Sequence, residues 1–274
     1  MPKTITKKNL YPFTYSTIEL VKWPVSSVLA FQTTCHHPVK KNTPHIETET
    51  ETNTKNTSSY KGFNLGFHVG DNPTTVKSNR DYIADKIIDG REIQWLEQVH
   101  GSEVAYIDKV ANTPLVADAC ITEKDDIALA IMTADCLPIL LSNKEGTKIA
   151  AIHGGWRPLA ANIVAKTITK MDVKVTELVA WLGPCIGQDA FEVGEDVYNI
   201  FITSDPLFSS AFQAKGGGKY FANLHTIARI QLEKLGVSLI ATLEECTYTN
   251  ENKYYSYRRN SITGRMATVI YRMK

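Results

Sequence analysis

The sequence predicts an α+β fold: a single domain, residues 1–274, with mixed β-sheets flanked by helices. Three observations favour this class. Short apolar runs bounded by turn-forming residues are typical of buried strands. Longer amphipathic segments between them predict helices. A hydrophobic fraction of 43% and a charged fraction of 22% are ordinary for a globular chain, and a chain of this length can bury a sizeable core.

The strands are predicted first. Residues 18–33 alternate loosely between apolar and polar and predict one or two strands. Further along, apolar runs that are too short for buried helices predict buried strands. Their sequences are IALAIM (127–132), LPILL (137–141), TKIAAI (147–152) and ELVAWL (177–182), and MATVIYRM near the end predicts the last strand.

Three segments predict helices: residues 71–88, 156–171 and 222–236. Each places apolar residues on one face at helical spacing. Pro73 suits the first turn of the first helix, and Gly236 is a C-terminal stop for the third.

Residues 38–60 are rich in Thr, Glu, Asn and Ser and contain almost nothing to bury. This composition predicts a long, exposed, mobile loop. We interpret it as an insertion within the domain, because the strands before it need partners from the chain that follows.

The overall charge and the cysteines limit the classes of function. A formal net charge of +1 creates no global field that would attract nucleic acid or anionic lipid. No run approaches the roughly 20 apolar residues of a membrane span, and no secretory h-region is evident. Five cysteines cannot all pair within one chain, so we expect reduced thiols and a cytoplasmic protein. They are Cys35, Cys120, Cys136, Cys185 and Cys246.

An acid and a thiol, Asp135 and Cys136, interrupt the apolar stretch TADCLPILL. Burying a carboxylate without a partner is costly, so this pair indicates a site. Cys136 follows the strand at 127–132, and His153 follows the strand at 147–152; if these strands are adjacent, their ends bring the two side chains together. His100, before a turn glycine, is a third candidate.

Two histidines and one cysteine are the ligands that zinc takes in a catalytic site, with a fourth position left for water. Such a zinc lowers the pKa of its water toward ~7. Asp135 could orient a histidine or act as a general base, and Asp118 could hold a ligand histidine.

Other interpretations of the same residues stay open, because the chain has no CxxC or HExxH motif. Cys136 could be a small buried hydrophobe, or a thiolate nucleophile with His153 or His100 as its base. A blue-copper site would add a weak axial methionine, for which Met132 is nearby. A multicopper cluster is disfavoured, because none of the seven histidines forms an HxH pair.

Arginines supply candidates for binding an anion. The segment YYSYRRNSITGRM contains Arg258, Arg259 and Arg265, and guanidinium forks bind phosphate or carboxylate through two hydrogen bonds. Arg157 comes at the start of a predicted helix, where anions are favoured. A solvated turn and a surface arginine are the alternatives.

The turn NLGFHVGDN contains two further polar candidates, Asn64 and His68. They could contact a substrate at the edge of the site, or only brace the turn.

Ten segments occur in the same order as in a known family. They are FNLGFHVGDNP, EQVHGSEV, ADACIT, TADCLPILL, AAIHGGWRPLAANIV, WLGPCIG, FEVG, ECTY, YSYRR and TGRMATVIY. The chain resembles the laccase-domain family, once labelled multicopper polyphenol oxidoreductase, well over residues 60–274 and weakly over 15–35. The family is associated with purine nucleoside phosphorylase and adenosine deaminase activities, and one bacterial branch is called peptidoglycan editing factor.

The resemblance implies a zinc enzyme whose ligands are His100, Cys136 and His153. It also implies a fold similar to that of a bacterial toxin deamidase that uses a Cys–His pair. The family normally has AGWRG where this chain has GGWRP. Pro158 therefore removes a backbone N–H near the start of a helix, although proline is tolerated in a first turn.

The expected function is zinc-dependent phosphorolysis of adenosine, inosine or methylthioadenosine, together with deamination of adenosine. Arg157, Arg258 and Arg259 are the candidates for binding phosphate or the substrate's anionic group. One alternative is a hydrolase that removes wrongly incorporated serine from a nucleotide-linked muramic acid precursor of peptidoglycan (UDP-muramoyl-serine). Another is a non-catalytic protein in which the metal only braces the fold.

Overall fold

The strands and helices come from a computed structural model, which describes residues 17–38, 60 and 62–273. The loop predicted at 38–60 lies outside the described residues except for its two end positions. Within them the strands, numbered in chain order, are β1 (Ile18–Leu20), β2 (Val28–Thr33), β3 (Glu92–Gln94), β4 (Leu96–Glu97), β5 (Val104–Tyr106), β6 (Leu115–Val116), β7 (Ala119–Thr122), β8 (Ile127–Thr133), β9 (Leu137–Asn143), β10 (Ile149–Gly154), β11 (Leu178–Leu182), β12 (Glu192–Gly194), β13 (Phe212–Gly216), β14 (Lys219–Ala222), β15 (Leu239–Thr242) and β16 (Met266–Arg272).

Two larger sheets contain most of these strands. One has the order β1-β2-β16-β8-β3, and the other has the order β15-β11-β9-β10-β7-β5. They pack face to face through apolar side chains, with Leu129 and Ile131 of β8 in one cluster with Leu140 and Ala151 of the second sheet. The strands predicted from apolar runs are confirmed, because burial on both faces requires continuous apolar sequence.

The helices are α1 (Pro73–Tyr82), α2 (Trp156–Ala160), α3 (Ile163–Met171), α4 (Glu195–Ser204) and α5 (Leu224–Leu235). Asn72 caps α1, since its side chain accepts a hydrogen bond from the Thr74 N–H at 2.9 Å. Gly236 ends α5 with a φ of 96°, as expected for a glycine C-cap. Helices α3, α4 and α5 contribute apolar residues to the cluster on the other face of the second sheet.

Two helix predictions need correction. The single helix predicted at 156–171 is broken, because Asn162 adopts a left-handed conformation with a φ of 60° between α2 and α3. The helix predicted at 71–88 continues beyond α1 as a π-helical turn, Ile83–Ile87. Pro158 lies within the first turn of α2, where its missing N–H would have no intrahelical partner. That helix therefore forms as expected.

Several elements were not predicted. The small sheet of order β12-β14-β13 and helix α4 come from the stretch 191–222, whose apolar residues are too scattered for a clear period. None of the helices in the described part of the chain has the length and apolar character needed to cross a membrane.

The reason given for bringing Cys136 and His153 together is also corrected. Strands β8 and β10 belong to different sheets and are not hydrogen-bonded neighbours. Cys136 lies in the connection from β8 to β9, and His153 lies inside β10, opposite Pro138 of β9. Antiparallel pairing of β9 with β10 therefore places the two side chains at the same end of the second sheet.

Candidate metal centre

His100 lies in the loop after β4 and is held by its backbone rather than by its ring. It has a φ of 57°, a left-handed conformation that few non-glycine residues adopt. The Asp118 carboxylate accepts hydrogen bonds from three successive N–H groups of this loop: Val99 at 3.3 Å, His100 at 3.0 Å and Gly101 at 2.6 Å. These bonds maintain the unusual turn and fix the direction of the imidazole.

A second clamp holds the same loop. The Gln98 side-chain amide donates to the Met132 carbonyl at 2.8 Å and accepts from the Met132 N–H at 2.8 Å. The carboxamide thus replaces a neighbouring strand at the end of β8. Sequence reasoning missed Gln98, because a glutamine at this position has no signature until the loop is folded against the sheet.

His153 is buried, and its Nδ1 lies 2.8 Å from Oδ1 of Asp118. This is the contact predicted for Asp118, and it leaves Nε2 of His153 as the ring nitrogen that could bind a metal. Burial acts to raise the pKa of Asp118, but hydrogen bonds from His153 and the loop N–H groups hold it below its ordinary value. Burial acts to lower the pKa of His153, yet Cys136 and Asp118 raise it to about 9.

Cys136 completes the cluster. Its Sγ lies 3.8 Å from Nε2 of His100, and the ligand atoms of Cys136, His100 and His153 all lie within 4.8 Å of one another. Burial acts to raise the pKa of the thiol, but the charge on His153 and hydrogen bonds with both histidines lower it to about 6. The lowered pKa favours the thiolate at neutral pH, and the thiolate is the form that binds metals.

The space beside these atoms is kept open by Gly155. A Cβ at this position would lie 3.1 Å from the Cys136 sulfur and 3.3 Å from a carbon of the His100 ring. Tetrahedral zinc, with Zn–S near 2.3 Å and Zn–N near 2.0–2.1 Å, requires a sulfur–nitrogen separation of about 3.6 Å. The observed 3.8 Å between Cys136 and His100 fits that requirement.

Asp135, which the sequence offered as a residue that could orient a histidine, has other hydrogen-bond partners. Its oxygens accept hydrogen bonds from the Thr247 hydroxyl at 2.7 Å and from the Arg258 N–H at 2.6 Å. Its φ of 97° is strained for a non-glycine residue, at a cost of about 1–3 kcal/mol. Asp118 therefore makes the contact that orients a histidine, and Asp135 shapes the turn that presents Cys136.

The three candidate ligands open into a cavity of about 650 Å³. His68, Arg157 and Arg258, all predicted as substrate contacts, line it. Arg265, which the sequence offered with Arg258 and Arg259 as a candidate for binding an anion, also lines it. The apolar part of the wall is formed mainly by Met132, Trp156, Ile186, Phe191, Leu224 and Tyr257.

Two predicted substrate contacts are not among the residues that line this cavity. Arg259 donates to the backbone carbonyls of Thr247, Tyr248 and Tyr254 at 2.7–2.9 Å, so its guanidinium braces its own segment. Asn64 is fully buried, and its amide is bonded within the turn and to the Arg265 N–H at 2.9 Å. For Asn64 the geometry favours bracing, one of the two roles that the sequence left open.

Taken together, the fold and the site define a mixed α/β protein with a His–Cys–His candidate metal centre at the end of a sheet, inside a cavity rich in arginine. The family model described as Multi-copper polyphenol oxidoreductase laccase matches residues 46–273. The chain belongs to this family, which confirms the resemblance found in its motifs.

Curated relatives and solved structures agree with this assignment. The chain is 41% identical over 213 residues to "Purine nucleoside phosphorylase YfiH" of Escherichia coli, covering 77% of this chain and 87% of that protein. It is 39% identical over 229 residues to "Purine nucleoside phosphorylase" of Haemophilus influenzae, covering 83% and 93%. A crystal structure of a Neisseria meningitidis protein aligns with a TM-score of 0.84 and 36% identity, covering 94% of this chain and 100% of that one.

A crystal structure of YlmD from Geobacillus stearothermophilus aligns with a TM-score of 0.78 and 25% identity, covering 92% of this chain and 94% of that one. These neighbours support a mixed α/β domain with several sheets. The expected similarity to a toxin deamidase stays a prediction.

Proposed function

We propose that this chain is a zinc-dependent purine nucleoside enzyme. It would cleave adenosine, inosine or methylthioadenosine with phosphate and would also deaminate adenosine. The observation that carries the proposal is the convergence of His100, Cys136 and His153 within one cavity. Relatives named purine nucleoside phosphorylase support the substrate class.

Zinc is the metal that the donor set favours. One thiolate and two imidazoles are zinc ligands, and a catalytic zinc keeps a further position open. The blue-copper alternative would use Met132 as its weak axial ligand, but Sδ of Met132 lies 3.4 Å from Nη2 of Arg80. The methionine sulfur therefore already accepts a hydrogen bond from the guanidinium of Arg80.

When bound, zinc would supply a Lewis acid beside the substrate. The chain's own residues would orient the metal ligands and the substrate. Asp118 would hold His153 with its Nδ1 protonated, which directs Nε2 toward the metal. Arg157 and Arg258 would bind the phosphate or another anionic group at the cavity wall. The aromatic side chains of the wall would pack against the purine.

In the phosphorolysis that we propose, a phosphate oxygen forms a bond to the ribose C1′, and the bond from C1′ to the purine nitrogen breaks. The electron pair leaves with the purine, which takes up a proton. In the deamination, water adds at the purine carbon that bears the amine, and ammonia leaves. Asp135 is the proposed proton carrier, because it lines the cavity next to Cys136.

The test uses purified protein and adenosine, with and without phosphate. Phosphorolysis would yield adenine and ribose 1-phosphate only when phosphate is present, and deamination would yield inosine and ammonia in either case. Cys136→Ala is the matched inactive control. No turnover of any of the three nucleosides by the zinc-loaded protein would contradict the proposal, and release of serine from UDP-muramoyl-serine would replace it.

A further inference from the structure

Arg265 lines the cavity, and the proposed reaction assigns it no role. Its Nη1 donates to the backbone carbonyls of Thr263 and Gly264, both at 3.0 Å, which fixes the guanidinium against its own turn. Nε and Nη2 make no hydrogen bond to the described residues, and no carboxylate in the described part of the chain forms an ion pair with it. Arg265 therefore presents an anchored cation with free donors.

The acidic groups Cys136 and Asp135 act on the charge of Arg265 without forming an ion pair or hydrogen bond with it, and further positive charge lies nearby. Arg80 is stacked between the rings of Phe67, at 4.5 Å, and Trp95, at 3.9 Å. Burial lowers the pKa of Arg80 to about 10, so it stays charged at neutral pH. Burial and the two arginines lower the pKa of His68, which keeps that imidazole neutral. A partly buried, unpaired cation is costly, and a bound anion would remove that cost.

An independent observation points to a ligand at the same place. Thr133 is 2% exposed, lines the same cavity, and its hydroxyl has no hydrogen-bond partner among the described residues. In the pairing of β8 with β16, Thr133 lies opposite Met266, the residue that follows Arg265. Buried hydroxyls normally find a partner, so an unsatisfied one in the cavity that Arg265 also lines indicates space for a polar group.

The other arginines near the cavity have their donors engaged or lie farther out. Arg259 is bonded to three carbonyls, and Arg258 donates to the carbonyls of Ala190 and Glu192 at 3.2–3.3 Å. Arg157 is exposed and stacks on the ring of Trp156.

We infer that Arg265 is the principal phosphate-binding residue of this cavity, with the Thr133 hydroxyl as a neighbouring donor. The inference rests on the proposed function, since phosphate is the co-substrate of phosphorolysis. The planar guanidinium fork can donate to two phosphate oxygens through the donors that Arg265 leaves free. Arg157 and Arg258 then hold other parts of the substrate or assist at the rim.

The test is isothermal titration calorimetry of the full chain with inorganic phosphate. We expect Arg265→Gln to weaken phosphate binding about tenfold or more, the size of a lost charged hydrogen bond. The matched control is Arg229→Gln, which removes the same charge from α5, where Arg229 bonds Thr242 and Glu233. The control should bind phosphate within about twofold of wild type, as surface changes usually do.

Phosphate affinity of a folded Arg265→Gln protein within about twofold of wild type would overturn the inference. If this variant does not fold, Arg265→Lys replaces it. Lysine supplies a single point charge instead of a fork, so we expect weaker phosphate binding with unchanged zinc content. Wild-type phosphate affinity in Arg265→Lys would overturn the assignment equally.

Kinetics separate this inference from the proposed function. In Arg265→Gln, the KM for phosphate should rise while the KM for adenosine in phosphate-free deamination stays the same. An unchanged KM for phosphate in an active enzyme would contradict the inference alone. A wild-type protein that binds phosphate through Arg265 but turns over no nucleoside would contradict the proposed function alone.

Discussion

Cys136 and Cys185 each lie beside a histidine ring, at similar distances. The sulfur of Cys136 is 3.8 Å from Nε2 of His100, and that of Cys185 is 3.6 Å from Nδ1 of His225. Yet the pKa of Cys136 is lowered to about 6, whereas that of Cys185 is raised well above its ordinary value. Contact with an imidazole is therefore not sufficient by itself to lower the pKa of a thiol in this chain.

The difference comes from the partners of the histidines. His225 places Nε2 2.8 Å from the Gly183 carbonyl, and burial is the main cause that lowers its pKa. A neutral imidazole then faces a neutral, fully buried thiol. His153 instead lies against the buried carboxylate of Asp118, which favours the imidazolium and so the thiolate of Cys136. The carboxylate of Asp118 thus contributes to the difference between the candidate metal cluster and the contact of Cys185 with His225.

Replacing each cysteine by alanine should give the largest contrast. Cys136→Ala removes the only sulfur of the candidate centre, and we expect zinc affinity and nucleoside turnover to fall more than about 100-fold, beyond the usual effect of losing an outer-shell partner. Cys185→Ala should keep both properties while losing about 1–2 kcal/mol of unfolding free energy. Metal analysis, turnover assays and urea unfolding measure these effects. Full activity in Cys136→Ala would exclude this residue from the mechanism.

Replacing Asp118 should make the environment of Cys136 more like that of Cys185. Asp118→Asn keeps the size of the side chain but removes the charge that holds His153 and the His100 loop. We expect zinc affinity, measured by competition with a chelator, to fall about 10–100-fold. Asp126→Asn, at an exposed position, is the control. Equal zinc affinity in the two variants would show that Asp118 does not tune the site.

The two thiols should also differ in alkylation of the metal-free protein. A thiol of pKa about 6 is roughly 90% ionised at pH 7, about 30 times more than a free cysteine of pKa ~8.5. Because Cys136 has the lowered pKa, its reaction with iodoacetamide should persist as the pH falls from 8 to 6.5 and then decline below about 6. Cys185 should stay unmodified throughout. Peptide mass spectrometry resolves the two, and faster labelling of Cys185 would contradict the comparison.

The smallest effect is expected from the clamp on the His100 loop. Gln98→Ala leaves the N–H and carbonyl of Met132 without their partners, which should lower the unfolding free energy by about 1–3 kcal/mol. Zinc affinity should fall less than tenfold, because Asp118 still holds the loop. Gln213→Ala, at an exposed position of β13, is the control. A loss of zinc affinity as large as that of Asp118→Asn would assign the main positioning role to Gln98.

The sequence could predict the parts of the fold that depend on local pattern. Strands such as β8, β9 and β11 are continuous apolar runs, because each is buried on both faces of its sheet. The break between α2 and α3 could not be predicted, since the apolar spacing continues through Asn162. Its left-handed conformation, with a φ of 60°, leaves no trace in that spacing.

The residues of the candidate site could likewise be predicted only in part. Cys136 and His153 stand out because polar groups interrupt apolar strands, and Asp118 was a candidate partner for the same reason. The difference between Arg259 and Arg265 could not be read from the motif, because it depends on which carbonyls the folded segment places beside each guanidinium.

The most direct test of the central claim is X-ray absorption spectroscopy, with metal quantification, on the natively purified protein. The account predicts one zinc per chain, with one sulfur and two imidazole nitrogens among its nearest neighbours. A zinc shell without sulfur, or a protein that is active when free of metal, would contradict it.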